Sequence, residues 1–166
     1  MAQQRVLIED VQPQVDAGFY PAKRTVGERV DVTANIFSDG HDHLRAEVVY
    51  KFGPDGTWMS VEMNPGVNDA WSASFHVTKK GTYYFYVQAW VDHFDTWYDG
   101  IKKKIAASVD VSLELREGAI FLREVAADNK EMLAWAKLLD DSSKVKQAIE
   151  RVMSDDAGEG ILAKTI

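Results

Sequence analysis

The residues in this 166-residue sequence that could do acid–base or metal chemistry are its histidines and carboxylates. The densest group is the run Asp39-Gly40-His41-Asp42-His43, whose imidazoles and carboxylates are ligand types that zinc and nickel accept. Zinc normally takes three or four protein ligands, and no further ligand follows at a suitable spacing. Because Asp-Gly is also a common turn pair, we interpret the run as a polar loop and predict no metal site.

Other catalytic arrangements are not evident in the sequence. His76 and His93 stand alone, and the carboxylates are too scattered to nominate a glycosidase pair. The run Gly53-Pro54-Asp55-Gly56 is typical of a hairpin turn and not of a phosphate-binding loop. We interpret the run Lys102-Lys103-Lys104 as a solvated face at the start of a helix. The sequence therefore predicts no catalytic residue and no cofactor.

A long aromatic strand, predicted over residues 81–97, offers the sharpest candidate for a binding site. Successive side chains of a strand point to opposite faces. One face then carries Tyr83, Phe85, Val87, Ala89 and Val91, and the other carries Tyr84, Tyr86, Gln88 and Trp90. A strand with one solvated face should alternate apolar with polar residues, but here both rows are largely apolar. We therefore expect something to cover the second row.

Two interpretations of the second row follow. Tyr84, Tyr86 and Trp90, joined by Trp97, could stack on the apolar faces of sugar rings and so bind carbohydrate. Alternatively, the row lies under helices of this chain or under a neighbouring domain. We favour the covered row, because uncovered apolar patches of several hundred Å² are unusual, and we keep carbohydrate binding as the second interpretation.

Shorter strands precede the aromatic one at intervals of about ten residues, with turn signals between them. They are predicted over residues 6–11, 29–36, 46–52, 58–63 and 71–77. In residues 29–36 apolar and polar side chains alternate, as a half-buried antiparallel strand requires. The run Asn64-Pro65-Gly66 is predicted to be a turn. This pattern predicts a mainly β fold, with an immunoglobulin-like antiparallel β-sandwich over residues 1–100.

A helical segment, appended to the sandwich or inserted into it, is predicted over residues 101–166. One apolar stripe has helical spacing and consists of Val111, Leu115, Ala119, Leu122 and Ala126, widened by Ile120, Phe121 and Val125. This width predicts a helix buried on more than one side. A second helix is predicted over residues 131–139, and a third is capped by Ser142 or Ser143. Residues 161–166 look like the start of a further element, so we expect the chain to be a fragment of a longer polypeptide.

Composition excludes several classes of function. The net charge of −7 and the pI near 5.1 disfavour nucleic acid and anionic membrane as partners, because both are polyanions. No cysteine is present, which excludes disulfides and thiolate chemistry and favours the cytoplasm. The N-terminus shows no basic-then-apolar signal, and no stretch reaches the ~18 apolar residues of a membrane span, so neither export nor insertion is expected.

Four blocks of the sequence, in order, resemble the N-terminal domain of the bacterial α-1,4-glucan:maltose-1-phosphate maltosyltransferases. The blocks are residues 5–18 (RVLIEDVQPQVDAG), 36–42 (IFSDGHD), 87–97 (VQAWVDHFDTW) and 110–119 (DVSLELREGA). Enzymes of this family use maltose 1-phosphate to extend α-1,4-glucans and belong to the α-amylase superfamily. The resemblance covers residues 5 to about 125 and is too loose to use beyond residue 128.

The resemblance implies a β-sandwich that precedes a catalytic barrel, carries a helical insertion and helps to build a homodimer. The catalytic carboxylates of such enzymes lie on the barrel, which needs roughly 200 or more residues, so no catalytic residue is carried over to this chain. The expected function is a non-catalytic accessory and dimerisation domain, with the missing barrel of the same polypeptide and a second copy as partners. The alternatives are a carbohydrate-binding module that takes α-glucan, and an accessory domain of an α-amylase-like glycoside hydrolase.

Overall fold

The computed structural model describes residues 6–154, which divide into two compact units between Val91 and Asp92. The first unit contains seven strands. They are β1 Val6–Gln12, β2 Arg29–Ser38, β3 Leu44–Phe52, β4 Met59–Glu62, β5 Asn64–Pro65, β6 Ala70–His76 and β7 Tyr83–Val91. One sheet has the strand order β1-β2-β6-β5 and the other has the order β4-β3-β7. Every pairing is antiparallel.

The core of the first unit forms between the inner faces of the two sheets. In β2 the alternation predicted from the sequence is confirmed, since the apolar positions are buried and the polar positions between them are exposed. The buried side chains are those of Val30, Val32, Ala34, Ile36, Ala46, Val48, Met63, Trp71, Phe75 and Val77. The inward row of β7 packs partly buried against them through Tyr83, Phe85, Val87 and Ala89. A single apolar core therefore joins both sheets.

The prediction of a mainly β chain is wrong, because the described residues are 35% helical and 34% strand. The two antiparallel sheets fit the predicted sandwich, whereas its finer immunoglobulin-like description stays a prediction. Asn64 and Pro65, predicted as part of a turn, form the short strand β5, because they pair with Ser72 and Trp71 of β6.

The predicted aromatic strand is correct in its centre and wrong at its exit. β7 ends at Val91, and helix α1 runs over His93–Ala106, eight residues before the helical segment was expected. The Asp92 side chain caps this helix by accepting a hydrogen bond from the backbone N–H of Asp95 at 2.8 Å. Phe94, Trp97 and Tyr98 then follow at helical spacing and are buried, so the aromatic exit belongs to a helix and not to the strand.

The second unit consists of four helices. After α1 they are α2 Ser112–Ala126, α3 Lys130–Asp140 and α4 Val145–Met153, with a 3₁₀ turn at Ser142–Lys144. The predicted stripe of α2 is confirmed: Val111, Leu115, Ala119, Leu122 and Ala126 are all buried. Its predicted widening is wrong, because Ile120 and Val125 are 52% and 42% exposed and only Phe121 packs partly against the core. Helix α2 thus buries one face.

Caps and charges set the limits of these helices. Asn129 caps α3 by accepting hydrogen bonds from the backbone N–H groups of Glu131 and Met132. The predicted Ser142 or Ser143 cap is wrong: Asp141 accepts from the Ser143 N–H, because a carboxylate one residue earlier reaches this donor. The three lysines at 102–104 lie towards the end of α1 and not at its start, where positive charge interacts favourably with the helix dipole.

Trp97 of α1 packs directly against α2. Its indole N–H donates to the Glu114 carbonyl at 2.6 Å, and its side chain is 7% exposed. A β-carbon added to Gly118 would lie 2.0 Å from Cζ2 of the Trp97 ring. Only glycine at this position lets the indole lie against the backbone of α2. The hydroxyl of the next residue, Tyr98, donates to the Val152 carbonyl at 2.9 Å and joins α1 to α4.

Candidate functional site

The outward side chains of β4, β3 and β7 form a continuous surface, which we call the outer face. The register of the sheet orders it into cross-strand rows. Lys51 lies opposite Tyr84, Val49 lies between Ser60 and Tyr86, Glu47 lies between Glu62 and Gln88, and Arg45 lies opposite Trp90. Trp58 immediately precedes β4, at the end of the face that carries Lys51. Residues opposite one another in an antiparallel pair share a face, so these side chains are neighbours.

One end of the outer face is aromatic. The rings of Trp58 and Tyr86 meet edge to face, with centroids 5.2 Å apart and planes at 74°. The Lys51 ammonium lies 4.6 Å from the centroid of Trp58 and 5.7 Å from that of Tyr84, within cation–π range of both rings. Lys51 Nζ also donates to the Pro54 carbonyl of the adjoining turn. The lysine is therefore held between two aromatic rings.

The rings of this end remain accessible. Trp58 is 46% exposed, and Tyr84 and Tyr86 are each 44% exposed. Beneath them Val49, an outward residue of the central strand, is 6% exposed. Apolar surface of the strand itself is thus covered by its neighbours, and the surface offered to a ligand is that of amphipathic aromatic rings.

The other end of the outer face carries paired polar groups. Arg45 donates to one carboxylate oxygen of Glu62 through Nη2 at 2.6 Å and through Nε at 3.1 Å. The Gln88 amide donates to the Glu47 carboxylate. Trp90, 39% exposed, lies opposite Arg45 and completes this end. The face therefore combines aromatic surface with fixed hydrogen-bonding groups.

The structure brings together three of the four aromatic residues predicted to bind carbohydrate. Tyr84, Tyr86 and Trp90 all lie on the outer face, whereas Trp97 is buried in the helical unit with its N–H bonded to Glu114. Sequence reasoning missed Trp58 and Lys51, which join the aromatic end through strand pairing. The available signal was an aromatic residue, Trp58, at the start of a predicted strand, but only the register places it beside Tyr86.

The histidines do not converge on a site. The run 39–43 lies between β2 and β3, His76 is an exposed residue at the end of β6, and His93 is the first residue of α1. Within residues 6–154, no group of three or more histidine, aspartate and glutamate side chains could hold a metal ion. None of the helices in this part of the chain has the length and apolar content that a membrane-spanning helix requires.

A cleft of about 410 Å³ opens at one end of the first unit, and its lining includes Tyr50, Phe75 and Tyr83. The rings of Tyr50 and Phe75 stack with centroids 4.3 Å apart. The Tyr83 hydroxyl oxygen accepts the backbone N–H groups of Thr78 and Lys79 at 3.0 and 3.1 Å and pairs with the Thr78 hydroxyl at 3.3 Å. The Thr78 side-chain hydrogen bond, with these backbone bonds, lowers the pKa of Tyr83 below its ordinary value. The phenol is thus engaged in closing the corner between β6 and β7.

Comparison with known proteins gives a consistent picture. The family described as "Alpha-1,4-glucan:maltose-1-phosphate maltosyltransferase, domain N/S" matches residues 4–164. A maltosyltransferase of this name from Chlorobaculum tepidum is 45% identical over 127 residues, covering 76% of this chain and 19% of that protein. The Myxococcus xanthus protein is 37% identical over 151 residues, which cover 89% of this chain and 22% of that protein. The second such enzyme of Streptomyces coelicolor is 34% identical over 170 residues, which cover 96% of this chain and 25% of that protein. The chain spans a fifth to a quarter of the length of these curated relatives.

Proposed function

Since the chain belongs to the α-1,4-glucan:maltose-1-phosphate maltosyltransferase domain N/S family, we propose that it is an accessory N-terminal domain of an enzyme that transfers maltosyl units from maltose 1-phosphate to α-1,4-glucan. The observation that carries the proposal is the match over residues 4–164, together with relatives four to five times longer than the matched part. The catalytic groups then lie in the remainder of the polypeptide, and the domain packs against that catalytic barrel without turnover of its own.

The test of this proposal uses the full-length enzyme and the 166-residue chain side by side. With maltose 1-phosphate and a maltooligosaccharide acceptor, we expect the full-length enzyme to release phosphate and the isolated chain to release none. Release of reducing sugar from starch without phosphate release would instead assign the parent enzyme to the hydrolases. Phosphate release by the isolated chain would overturn the accessory role.

A role in dimerisation is the second part of the proposal, and the exposed apolar residues of the helical unit support it. Leu113 is 64% exposed and Ile120 is 52% exposed. They are seven residues apart on α2, so they lie on the same side of the helix. Exposed apolar side chains grouped in this way are typical of surfaces that bind another protein. A second copy of the chain is the partner we propose.

Light scattering at several protein concentrations tests this role. We expect dimers of the full-length enzyme that weaken or dissociate when Leu113 and Ile120 are both replaced by serine. The matched control is Val67→Ser, which removes an apolar side chain that is 80% exposed in the first unit. A strictly monomeric wild-type enzyme, or equal dissociation in both variants, would refute the role.

Two finer assignments complete the proposal. The strand orders β1-β2-β6-β5 and β4-β3-β7, with a tyrosine that closes the β6–β7 corner, support an immunoglobulin-like arrangement of the sandwich. The cytoplasm is the proposed location, as expected for a cysteine-free domain of a glucan-metabolising enzyme.

A further inference from the structure

The aromatic end of the outer face has the form of a stacking site. Trp58 and Tyr86 stand nearly perpendicular to one another, and Tyr84 lies beside them across Lys51. All three are about half exposed, and the two tyrosines are fixed on a paired strand. Tyrosine and tryptophan supply large contact area at low cost in conformational entropy. A flat ligand with apolar faces and polar edges matches this surface.

Hydrogen-bonding groups surround the rings. The Tyr84 and Tyr86 hydroxyls have no hydrogen-bond partner among residues 6–154, and the Lys51 ammonium lies between the rings as a donor. Further along, the Gln88–Glu47 and Arg45–Glu62 pairs hold planar groups in fixed positions. Sugar hydroxyls both donate and accept, so they can bind phenols, amides and ion-paired side chains of this kind.

The charge of the face restricts the ligand. Arg45 and Lys51 are balanced by Glu47 and Glu62, so the face is neutral although the whole chain carries −7. A nucleic acid or an anionic lipid surface would need an excess of positive charge. Val49 is the one aliphatic side chain among the outward positions of β3, β4 and β7, and it is already buried. The face therefore matches a neutral, hydroxyl-rich molecule better than it matches the apolar surface of a protein partner.

The extent of the face indicates a chain of sugars. Tyr84 and Trp90 are six residues apart on one strand, which corresponds to ~20 Å. A single sugar ring would contact only one end of the outer face, whereas an oligosaccharide would reach both the aromatic end and Trp90.

We propose that the outer face binds an α-1,4-glucan chain, with Trp58, Tyr84 and Tyr86 stacking on its sugar rings and Lys51 donating to its hydroxyls. The neutral oligosaccharide follows from the face itself, while the choice of the α-1,4 linkage rests on the function proposed above. Binding at such a surface holds the polymer close to the enzyme and raises its effective concentration.

The experiment is a calorimetric titration of maltoheptaose into the 166-residue chain, with tryptophan fluorescence as a second readout. We expect saturable binding that weakens at least tenfold in Trp58→Ala and in Tyr86→Ala. The matched control is Phe19→Ala, which removes an aromatic ring that is 86% exposed in the loop between β1 and β2, and it should leave the affinity within about twofold. Cellohexaose, with β-1,4 links, should bind more weakly than maltoheptaose.

Tyr86→Phe separates the two contributions of that residue, since it keeps the ring and removes only the hydroxyl. Melting curves of each variant confirm that the exposed substitutions leave the fold intact. The proposal is overturned if no saturable heat is seen up to about 10 mM maltoheptaose, or if Phe19→Ala weakens binding as much as Trp58→Ala does. Phosphate release by the full-length enzyme tests the proposed function independently, so the failure of either measurement is distinguishable from the failure of the other.

Discussion

Gly118 and Gly100 provide a direct test of how the helical unit packs. Both are interior helical glycines, in α2 and α1 respectively. A β-carbon at Gly100 would meet nothing within 4 Å, whereas one at Gly118 would lie 2.0 Å from Cζ2 and 2.5 Å from Cε2 of Trp97. The same substitution by alanine should therefore have opposite effects at the two positions.

The magnitudes follow from two opposing terms. Alanine is favoured over glycine in a helix interior by about 1 kcal/mol, and at Gly100 this gain is unopposed. At Gly118 overpacking costs about 3 kcal/mol, the upper end of the usual range, because the ring is buried and its N–H is held by Glu114. The net expectation is about 1 kcal/mol of stabilisation for Gly100→Ala and about 2 kcal/mol of destabilisation for Gly118→Ala.

Urea and thermal unfolding followed by circular dichroism at 222 nm would measure the difference. A gap of about 3 kcal/mol between the variants corresponds to roughly 6–12 °C in Tm for a chain of this size. Trp97→Phe removes the part of the ring that Gly118 faces, so Gly118→Ala should cost less in that background, with a coupling of about 0.5–3 kcal/mol. The reasoning is refuted if Gly118→Ala is as stable as the wild type, or if its cost is the same in both backgrounds.

Three further predictions concern the same unit. Tyr98→Phe should lower the free energy of unfolding by about 1–3 kcal/mol in urea titrations, because it leaves the buried Val152 carbonyl without its donor; an unchanged midpoint would contradict this. Asn129→Ala should cost about 1 kcal/mol by removing the α3 cap, and Asn129→Asp should restore most of it. The Ser143 hydrogen bonds, followed by the nearby lysine, lower the pKa of Asp141 below 3.8, so its stabilisation is complete above that pH and is lost as the pH falls through the lower, folded value. Asp141→Asn should therefore be less stable than the wild type at neutral pH, and the difference should shrink as the pH falls below 3.8; a pH-independent difference would refute the assignment.

The sandwich could be predicted where the pattern is local. The alternation in β2 and the turn signals between strands are properties of consecutive residues, and they located nearly every strand to within a few positions. The sequence does not predict strand β5, because a two-residue strand that includes a proline is too short to carry a periodic pattern. Its pairing with Ser72 and Trp71 is a contact across the sheet and is not visible in the sequence.

The sequence predicts the exit of β7 wrongly for a related reason. The aromatic residues from Phe94 onward fit both a strand that continues and a helix that begins, and the decisive signal was the single capping carboxylate of Asp92. The strand interpretation therefore groups Trp97 with the exposed row, although it packs on Gly118 in the helical core. Helix α2 buries only one of its apolar faces, because the elements that pack against it cover only that face.

By itself the sequence determined the family, the absence of cysteine chemistry, the alternating strands and the inward row of β7, because each of these depends on residue identity and short-range order. Only the tertiary structure decided the composition of the outer face. Trp58, Lys51 and Tyr86 come from three different segments, and it is the antiparallel register that places an edge-to-face ring pair and a lysine at one end of a sheet. Hydrogen-bonded strand pairing makes neighbours of residues that are distant along the chain, and a pattern of consecutive residues does not show which strands pair.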